Sequence, residues 1–217
     1  MSGRKDEQYW NDVYTDLEVS APSYDGWLDK YIPLIEAAGD VPIIDLGCGI
    51  GGDTQYLTEH GRSVIACDFS QEALDRIARL LPGCETRRFD MTQGLPFEDG
   101  AAKLIVADLS LHYFRWDVTV QIVRDIARVI GPGGALLARL NSVRDVHYGA
   151  GAGTEVEPHY YEHKGRRKRF FDEADISRLF AEWNVMSLQE TEMGRYGKPK
   201  RCWELAAMPP LRASLHP

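Results

Sequence analysis

The sequence predicts an α/β fold, a Rossmann-like doubly wound sheet of seven mostly parallel strands with an antiparallel last strand and helices on both faces. From residue 41 onward, short apolar runs alternate with helical patterns, which is typical of a parallel sheet covered by helices. A glycine-rich loop follows the first apolar run, where a strand passes into a helix. The 217 residues suit one large domain better than two.

The predicted strands and helices follow one another along the chain. Strands are predicted over residues 42–46, 63–68, 84–89, 103–109, 135–140, 185–190 and 202–207. Helices are predicted over residues 53–60, 71–81, 118–130 and 172–180. Gly61 is expected to end the first of these helices, and Asp172 is expected to cap the last.

A single domain is expected over residues 1–208, with a flexible tail at 209–217. Within the domain, residues 1–38 are expected to form an N-terminal lid and residues 40–141 the ligand-binding core. Residues 142–171 are glycine-rich, contain several tyrosines and show no helical period. This insertion is expected to cap the substrate.

Composition and charge exclude several classes of protein. Apolar residues make up 44% of the chain and the net charge is −8, so long nucleic acids and anionic membranes face a repulsive mean field. No apolar run approaches the roughly 18 residues that span a bilayer, and the first residues lack the apolar core of a signal peptide. The four cysteines show no metal-binding spacing, which predicts free, mostly buried thiols in a reducing cytoplasm.

The sequence Asp45-Leu-Gly-Cys-Gly-Ile-Gly-Gly52 lies between the first predicted strand and the first predicted helix. Glycines are needed there because the backbone must turn sharply and let a ligand approach without a Cβ in the way. Asp68 ends the next strand, in a position from which a carboxylate can accept both hydroxyls of a ribose. The loop and the carboxylate together predict a ligand that contains a nucleoside.

The residues beside the glycines distinguish between two such ligands. A dinucleotide site usually reads GxGxxG and leaves the helix N-terminus free for a pyrophosphate, whereas here Asp45 and Asp53 flank the glycines. Each carboxylate would repel a pyrophosphate by about 1 kcal/mol or more at an effective dielectric of about 20. Both would attract the ammonium and sulfonium groups of S-adenosylmethionine (SAM), which is therefore the expected cofactor.

On these residues, and on the turn at residues 131–134 (Gly-Pro-Gly-Gly) before a strand, the sequence resembles the class I SAM-dependent methyltransferase family. The resemblance is to the small-molecule branch that includes tellurite-resistance and thiopurine methyltransferases, and it covers residues 40–141 motif by motif. It implies a cofactor site made by Asp45, Gly47, Cys48, Gly49, Asp68, Phe69, Asp90, Met91, Asp108, Leu109 and Ser110.

Within that site the resemblance implies separate roles. The methionine part of SAM would be held by Asp45 and the glycines after it, and the ribose by Asp68. The adenine would pack on Phe69 and donate to Asp90 beside Met91. Residues 108–110 would line the sulfonium and the mouth of the substrate site. Asp45 and Asp90 could instead be ordinary turn residues.

The reaction that the resemblance implies needs few catalytic groups. Methyl transfer from a sulfonium is an in-line displacement, so holding the nucleophile about 3 Å from the methyl group supplies much of the rate. A base is required only for a nucleophile that still carries its proton. His112, just after the fourth strand, is the candidate base, or it only supports the loop; Tyr161 and Asn141 are further catalytic candidates.

Aromatic residues are expected to surround the acceptor, because hydroxyls orient a small substrate and ring faces attract a cation. The candidates are Tyr9, Tyr14, Trp27, Tyr113, Tyr148 and Tyr160. The alternative is that these rings pack, either against the flank of the sheet or within the cap.

A dense basic run at residues 164–169 (Lys-Gly-Arg-Arg-Lys-Arg) allows two interpretations. It could recognise a carboxylate, a phosphate or an RNA backbone, or it could form a solvated hairpin. His159 and His163 stand nearby, four residues apart. Since no predicted helix brings them onto one face, no metal site is expected.

The expected function is methyl transfer from SAM to nitrogen, oxygen, sulfur or selenium of a small molecule, which leaves S-adenosylhomocysteine. A cytoplasmic monomer or homodimer is expected, without nucleic-acid or membrane partners. Two alternatives stay open. One is an RNA or protein methyltransferase that uses the basic run, and the other is a SAM lyase or cyclase that transfers no methyl group.

Overall fold

Seven strands form the central sheet in a computed structural model of the protein, which describes residues 3–16 and 24–210. These strands are β1 (Ile43–Leu46), β2 (Val64–Asp68), β3 (Glu85–Arg88), β4 (Ala102–Asp108), β5 (Ile130–Asn141), β9 (Asn184–Met193) and β10 (Lys200–Met208). Three further strands form a separate small sheet: β6 (Thr154–Glu157), β7 (Tyr160–His163) and β8 (Arg166–Arg169).

Helices accompany the sheet along the chain. They are α1 (Gly3–Asp16), α2 (Ile32–Ala37), α3 (Gly52–Glu59), α4 (Gln71–Leu80), α5 (Trp116–Val129) and α6 (Glu173–Leu179). Short 3-10 turns occur at Asp29–Tyr31, Met91–Gln93 and Val146–Tyr148. Among these described helices, none has the length and apolar character needed to cross a membrane.

The order of strands in the central sheet is β3-β2-β1-β4-β5-β10-β9. β1 pairs in parallel with both β2 and β4, and β4 pairs in parallel with β5. β10 lies antiparallel between β5 and β9. The predicted fold, a seven-stranded sheet with an antiparallel last strand, is confirmed. In such sheets ligands bind at the carboxyl ends of the parallel strands.

Successive residues of the central strands pack into cores on opposite faces of the sheet. Ile44 of β1 joins Ile105 and the α5 residue Ile122 in one core, while Ile43 joins Leu28 of the N-terminal segment in the other. Every residue of β1 is buried. Parallel strands covered on both faces read as continuous apolar runs, which is why the sequence reveals them.

The segment between β5 and α6 contains a small antiparallel sheet that the sequence does not predict. Tyr161 lies opposite Lys168, and His163 lies opposite Arg166, across the β7–β8 hairpin. The basic run therefore does form a hairpin. It is not wholly solvated, because Arg169 at its end is only 2% exposed.

Backbone contacts fasten this hairpin to the central sheet. The Arg169 amide donates to the carbonyl of His112 at 2.7 Å, and the Phe171 amide donates to the carbonyl of Asn141 at 2.8 Å. The indole N–H of Trp203 donates to the Phe171 carbonyl at 2.8 Å. The end of β8 is therefore tied to the carboxyl ends of β4 and β5.

Two local predictions are also confirmed. Asp172 caps α6, since its carboxylate accepts from the Asp175 amide at 2.7 Å in a capping box. All four cysteines are free: Cys48, Cys67 and Cys202 are buried and Cys84 is half-buried. Most of the predicted tail, at residues 211–217, lies outside the described residues, as do residues 1–2 and 17–23 of the predicted lid.

Candidate active site

The glycine loop between β1 and α3 is closely packed against its neighbours. Gly47 has a φ of +80°, and a Cβ there would collide with the Cβ of Ser110 at the end of β4. Gly49 has a φ of +50°, and a Cβ there would lie 3.0 Å from the hydroxyl of Tyr14 in α1. Both positions need glycine, because side chains rarely adopt this backbone conformation and here they would have no room.

Asp68, at the end of β2, is held beside the loop by backbone amides. Its carboxylate accepts from the Gly49 amide at 2.9 Å and from the Ser70 amide at 2.8 Å. The Ser70 hydroxyl donates to the side chain of Asn11 in α1 at 2.6 Å. Each carboxylate oxygen retains acceptor capacity, so Asp68 is oriented to accept from the hydroxyls of a ligand.

Two carboxylates next to the loop are buried without a cationic side chain. Asp45 is 1% exposed and accepts from the Thr54 hydroxyl, while Asp53 accepts from the indole N–H of Trp27 at 2.9 Å. Burial is the main cause that raises the pKa of Asp45. The Thr54 hydrogen bond opposes it, the nearby Asp108 carboxylate adds to it, and the resulting pKa is about 7. Burial also raises the pKa of Asp53. Within the described residues neither carboxylate forms an ion pair, so a cationic group of a ligand would be stabilised here.

Arg139 of β5 is the centre of a buried ionic cluster. It is 1% exposed, and its guanidinium donates to both carboxylate oxygens of Asp108, at 2.6 and 2.8 Å, and to Asp25 at 2.8 Å. Arg195, in the turn between β9 and β10, donates to Asp108 at 2.8 Å. Burial alone would raise the pKa of Asp108, but the two guanidiniums outweigh it and hold the pKa below its usual value. Asp108 is therefore anionic.

Arg139 and Arg195 are site residues that the sequence analysis misses. Arg139 stands in the apolar run Leu-Leu-Ala-Arg-Leu, and a charge within a buried strand requires a buried partner. That signal is present, but the partners Asp108 and Asp25 are 31 and 114 residues away along the chain. Arg195 lies in a turn and gives no sequence signal.

Unpaired polar groups lie at the ends of β4 and β5. Leu109 has a φ of +53°, a strained conformation of the kind that recurs at functional sites. Three polar residues near it, Ser110, His112 and Asn141, are buried. The hydroxyl of Ser110, the Nδ1 atom of His112 and both amide atoms of Asn141 have no hydrogen-bond partner within the described part of the chain. Buried polar groups are normally paired, so this cluster is a candidate place for a ligand to bind.

His112 is held as a neutral imidazole. Burial, together with the nearby ammonium groups of Lys200 and Lys168, lowers the pKa of His112 well below its usual value. Its ring lies 4.1 Å from the ring of Tyr113. A neutral imidazole with an unpaired ring nitrogen is able to accept a proton from a bound molecule.

Comparison with known proteins bears on what this site does. Residues 43–134 match the family described as a methyltransferase domain. Over this stretch, which is less than half of the chain, the sequence is similar to that family. An uncharacterized methyltransferase of Synechocystis sp. is 33% identical to it over 92 residues, which are 42% of this chain and 43% of that protein. A probable tRNA methyltransferase 9B of Bos taurus is 25% identical over 206 residues, which are 91% of this chain and 38% of that protein.

Solved structures share the fold of the methyltransferase domain. A SAM-dependent methyltransferase from Methanosarcina mazei superposes with a TM-score of 0.68 at 20% identity, covering 82% of this chain and 98% of that one. The chain spans less than half the length of the curated relatives that it matches. The expected fold of a class I methyltransferase is confirmed by this likeness, and the sequence match to the family extends over residues 43–134. The tellurite-resistance and thiopurine branch stays a prediction.

The fold brings the predicted cofactor residues to one edge of the sheet. Those that end or follow β1, β2 and β4 are Asp45, Gly47, Cys48, Gly49, Asp68, Phe69, Asp108, Leu109 and Ser110. Asp90 and Met91 follow β3, the next strand along that edge. The Asp90 carboxylate accepts from the amide and the hydroxyl of Thr92, at 2.9 and 2.7 Å. Asp90 thus has the turn-capping role that the sequence left open, and its contact with adenine stays a prediction.

Three of the aromatic residues predicted to contact the acceptor lie together above the site. The ring of Trp10 in α1 stacks on Tyr14 at 5.8 Å and meets the edge of Tyr113 at 5.2 Å. Tyr9 meets Trp10 at 5.2 Å on its other side. The Tyr14 hydroxyl also lies against Gly49, so α1 packs beside the glycine loop; its role as a lid stays a prediction.

Two other predicted acceptor contacts are packing residues instead. Trp27 is 5% exposed and sits in the core with its indole N–H bonded to Asp53. Tyr160 is 3% exposed, and its hydroxyl donates to the Tyr113 carbonyl at 3.0 Å. For both residues the packing alternative holds, because β7 and the N-terminal segment turn these rings inward.

Tyr148 and Tyr161 lie further out, in the cap. The Tyr148 hydroxyl donates to the Lys198 carbonyl at 2.9 Å. The Tyr161 hydroxyl lies beside Glu155, and burial followed by that carboxylate raises its pKa. Both rings line a cavity of about 150 Å³. A catalytic role for Tyr161 stays a prediction.

The histidines of the cap do not come together. The Nδ1 atom of His159 lies 2.7 Å from the Asp175 carboxylate, whereas His163 is exposed on β7. Asp172 lies close to His159 and Asp175, but both carboxylates already serve the capping box of α6. The arrangement is explained by helix capping.

We predict that replacing Arg139 with Met lowers the free energy of unfolding by about 3 kcal/mol, because it leaves buried carboxylates short of a partner. The value lies at the lower end for a broken buried pair, since Arg195 still neutralises Asp108. Urea denaturation measures the change. The exposed α5 residue Arg124 supplies the control: Arg124→Met should stay within about 0.5 kcal/mol of the parent. Equal losses in the two variants would contradict the prediction.

Proposed function

We propose that this chain is a SAM-dependent methyltransferase that transfers a methyl group to a nitrogen, oxygen, sulfur or selenium atom of a small-molecule acceptor. The observation that carries the proposal is the pair of buried carboxylates, Asp45 and Asp53, which lack a cationic side-chain partner beside a glycine loop. When bound, SAM supplies the cations that this pair attracts, together with an activated methyl group on its sulfonium.

Each part of the site matches one part of that cofactor. Asp45 would hold the ammonium of the methionine part, together with the backbone of the adjoining glycine loop. Asp68 accepts from the ribose hydroxyls, since its orientation is already set by Gly49 and Ser70. Phe69 and Asp90 belong to the adenine end. This assignment follows the family resemblance and is consistent with the burial and hydrogen bonding of the residues.

The chain's own contribution to the reaction is chiefly positioning. Ser110, His112 and Asn141 offer unpaired polar atoms where the acceptor would meet the methyl group. They hold the nucleophile in line with the carbon–sulfur bond, which breaks as the new bond to the nucleophile forms. His112 is the candidate proton acceptor if the nucleophile is a hydroxyl or an ammonium: its lowered pKa keeps the imidazole neutral, as a base must be, but also makes it a weaker base in the free protein.

The cap favours a small acceptor over RNA. Of the cations in the basic run, Arg169 is buried against Glu157, and Arg167 pairs with Glu162. Lys168 and Arg166 line the cap cavity instead of an outer surface. The run therefore does not present the exposed basic stripe that tracks a phosphate backbone, and the net charge of −8 adds repulsion.

The first test of this function is calorimetric titration with S-adenosylhomocysteine, with NAD as the control ligand. Micromolar binding of the first and none of the second is expected. We predict that Asp68→Ala weakens the binding by about 1–3 kcal/mol, as for a hydrogen bond to a charged acceptor. Binding of NAD alone would overturn the proposal, and an unchanged affinity in the variant would remove the ribose assignment.

A second incubation separates methyl transfer from the alternative chemistry. Purified protein is incubated with SAM and no acceptor, and the products are separated by chromatography. With a methyltransferase, SAM should decay no faster than in a matched incubation without protein. Release of methylthioadenosine above that control would identify a lyase or cyclase and contradict methyl transfer.

We predict that ligand binding releases a proton at acid pH. The raised pKa of Asp45, about 7, means that this carboxyl is protonated below that value in the free protein. The ligand's ammonium favours the anion, so affinity for S-adenosylhomocysteine should fall as pH drops below about 7, by up to about tenfold per unit. Calorimetry in buffers of different ionisation enthalpy measures the released proton. Asp45→Asn should bind more weakly and release fewer protons than the parent; proton uptake by the parent would contradict the assignment.

If His112 is the base, we predict that His112→Ala lowers turnover by about 10²–10⁴-fold with SAM binding intact. The comparison needs an acceptor found by screening with labelled SAM. His112→Gln keeps a polar side chain of similar reach and separates proton transfer from packing. Turnover within about threefold of the parent would leave His112 a supporting role only.

A further inference from the structure

We propose that the acceptor carries an anionic group, a carboxylate or a phosphoryl group, which binds in the cap cavity against Lys168 and Arg166 of the β7–β8 hairpin. This inference rests on the proposed methyltransferase function and specifies the class of its acceptor.

The register of the β7–β8 hairpin determines which side chains line the cavity. Tyr161 lies opposite Lys168, and His163 lies opposite Arg166. Alternation along antiparallel strands therefore places these four side chains on one face of the hairpin. That face looks onto Tyr148 and lines, with it, a cavity of about 150 Å³. The volume is several times the roughly 30 Å³ share of a liquid water molecule, enough for a carboxylate- or phosphate-sized group.

The charge within this part of the cap is unbalanced. Lys200 is 5% exposed and pairs with the buried Asp145 at 2.6 Å. Lys168 and Arg166, by contrast, form no ion pair with any carboxylate among the residues that the structure describes. Lys168 and Lys200 both lie near Asp145, but only Lys200 is paired with it. An anion bound between Lys168 and Arg166 would offset the excess, and charge-assisted hydrogen bonds of this kind are strong.

The other charged groups around the cavity do not cancel this excess. His163 and Lys164 reach its outer rim and are exposed. Glu162 lies on the opposite face of the hairpin and pairs with Arg167. Glu155 lies beside the Tyr161 hydroxyl and accepts from the amide of His159 at 2.9 Å. Arg166 also lies over the ring of Tyr9 in α1, a contact that supplies no negative charge to balance its guanidinium.

The cavity also lies next to the reacting end of the site. Lys168 and Lys200 are close enough to His112 to lower its pKa, after the larger effect of burial. The amide that follows Lys168, that of Arg169, donates to the His112 carbonyl at 2.7 Å. The unpaired side chains of His112 and Asn141, both buried, point to a ligand in the same region. An acceptor anchored by its anionic group at Lys168 would extend its nucleophile toward them.

Burial, followed by Lys200 and opposed by Asp145, lowers the pKa of Lys168. This shift agrees with the geometry, because a half-buried ammonium beside other cations lacks a counter-ion. A bound anion would remove the shift.

The test measures binding of two probe anions to the complex with S-adenosylhomocysteine. Inorganic phosphate and acetate are titrated in separate arms, by calorimetry or by changes in the amide spectrum of the hairpin. We expect at least one anion to bind in the millimolar range, and Lys168→Met to weaken that binding by about tenfold or more. Lys103→Met makes the same change at the far end of β4 and should leave anion binding as in the parent.

The outcomes separate this inference from the proposed function. Affinity for S-adenosylhomocysteine is measured first in every variant and should match the parent, which also shows that Lys168→Met is folded. Normal cofactor binding with neither anion bound, or with an anion that binds equally well to Lys168→Met, overturns the anionic acceptor and leaves the methyltransferase in place. Failure of the parent to bind S-adenosylhomocysteine overturns the proposed function itself. The arm that binds more tightly distinguishes phosphoryl from carboxylate.

Discussion

The site depends on one buried ion pair, between Asp108 at the end of β4 and Arg139 on β5. Arg139 is 1% exposed, and a guanidinium taken that far out of water is tolerable only with excellent geometry and satisfied donors. Asp108 and Asp25 supply the acceptors, and Arg195 adds a second cation from the far side. The ion pair therefore connects the N-terminal segment, β4, β5 and the β9–β10 turn at one place in the structure.

That pairing decides how charge is shared among the neighbouring carboxylates. Asp108 pairs with the guanidiniums of Arg139 and Arg195, which hold its pKa below the usual value. Asp45 and Asp53 are left with neutral donors, and their pKa values rise. The protein thus keeps one carboxylate permanently ionised for structure and leaves two whose ionisation a cationic ligand would favour. This division leaves two carboxylates that suit a cationic ligand, as the proposed function requires.

The sequence predicts the sheet well and the site in part, for physical reasons that differ. β1 and β4 are buried on both faces and read as apolar runs, and the glycine loop needs residues without a Cβ, so composition alone reveals both. The role of Arg139 cannot be read in this way, because its partners are distant in the chain. The sequence does not predict the small sheet of β6, β7 and β8 either. Its strands consist mostly of polar residues, so they show no periodic apolar pattern.

The packing of the basic hairpin explains why its charges do not act alike. Arg169 points inward to Glu157 and to the carbonyl of Phe114, at 3.2 Å, and so fastens the hairpin. Lys168, one residue earlier, must point to the other face, because side chains alternate along a strand. One short strand therefore supplies a buried structural cation and an unpaired cation at a cavity. The same alternation sets the unpaired cation beside His112, whose carbonyl the strand already binds. A change that shifted the hairpin register by one residue would exchange these two roles and leave a buried Glu157 facing Lys168 in place of Arg169.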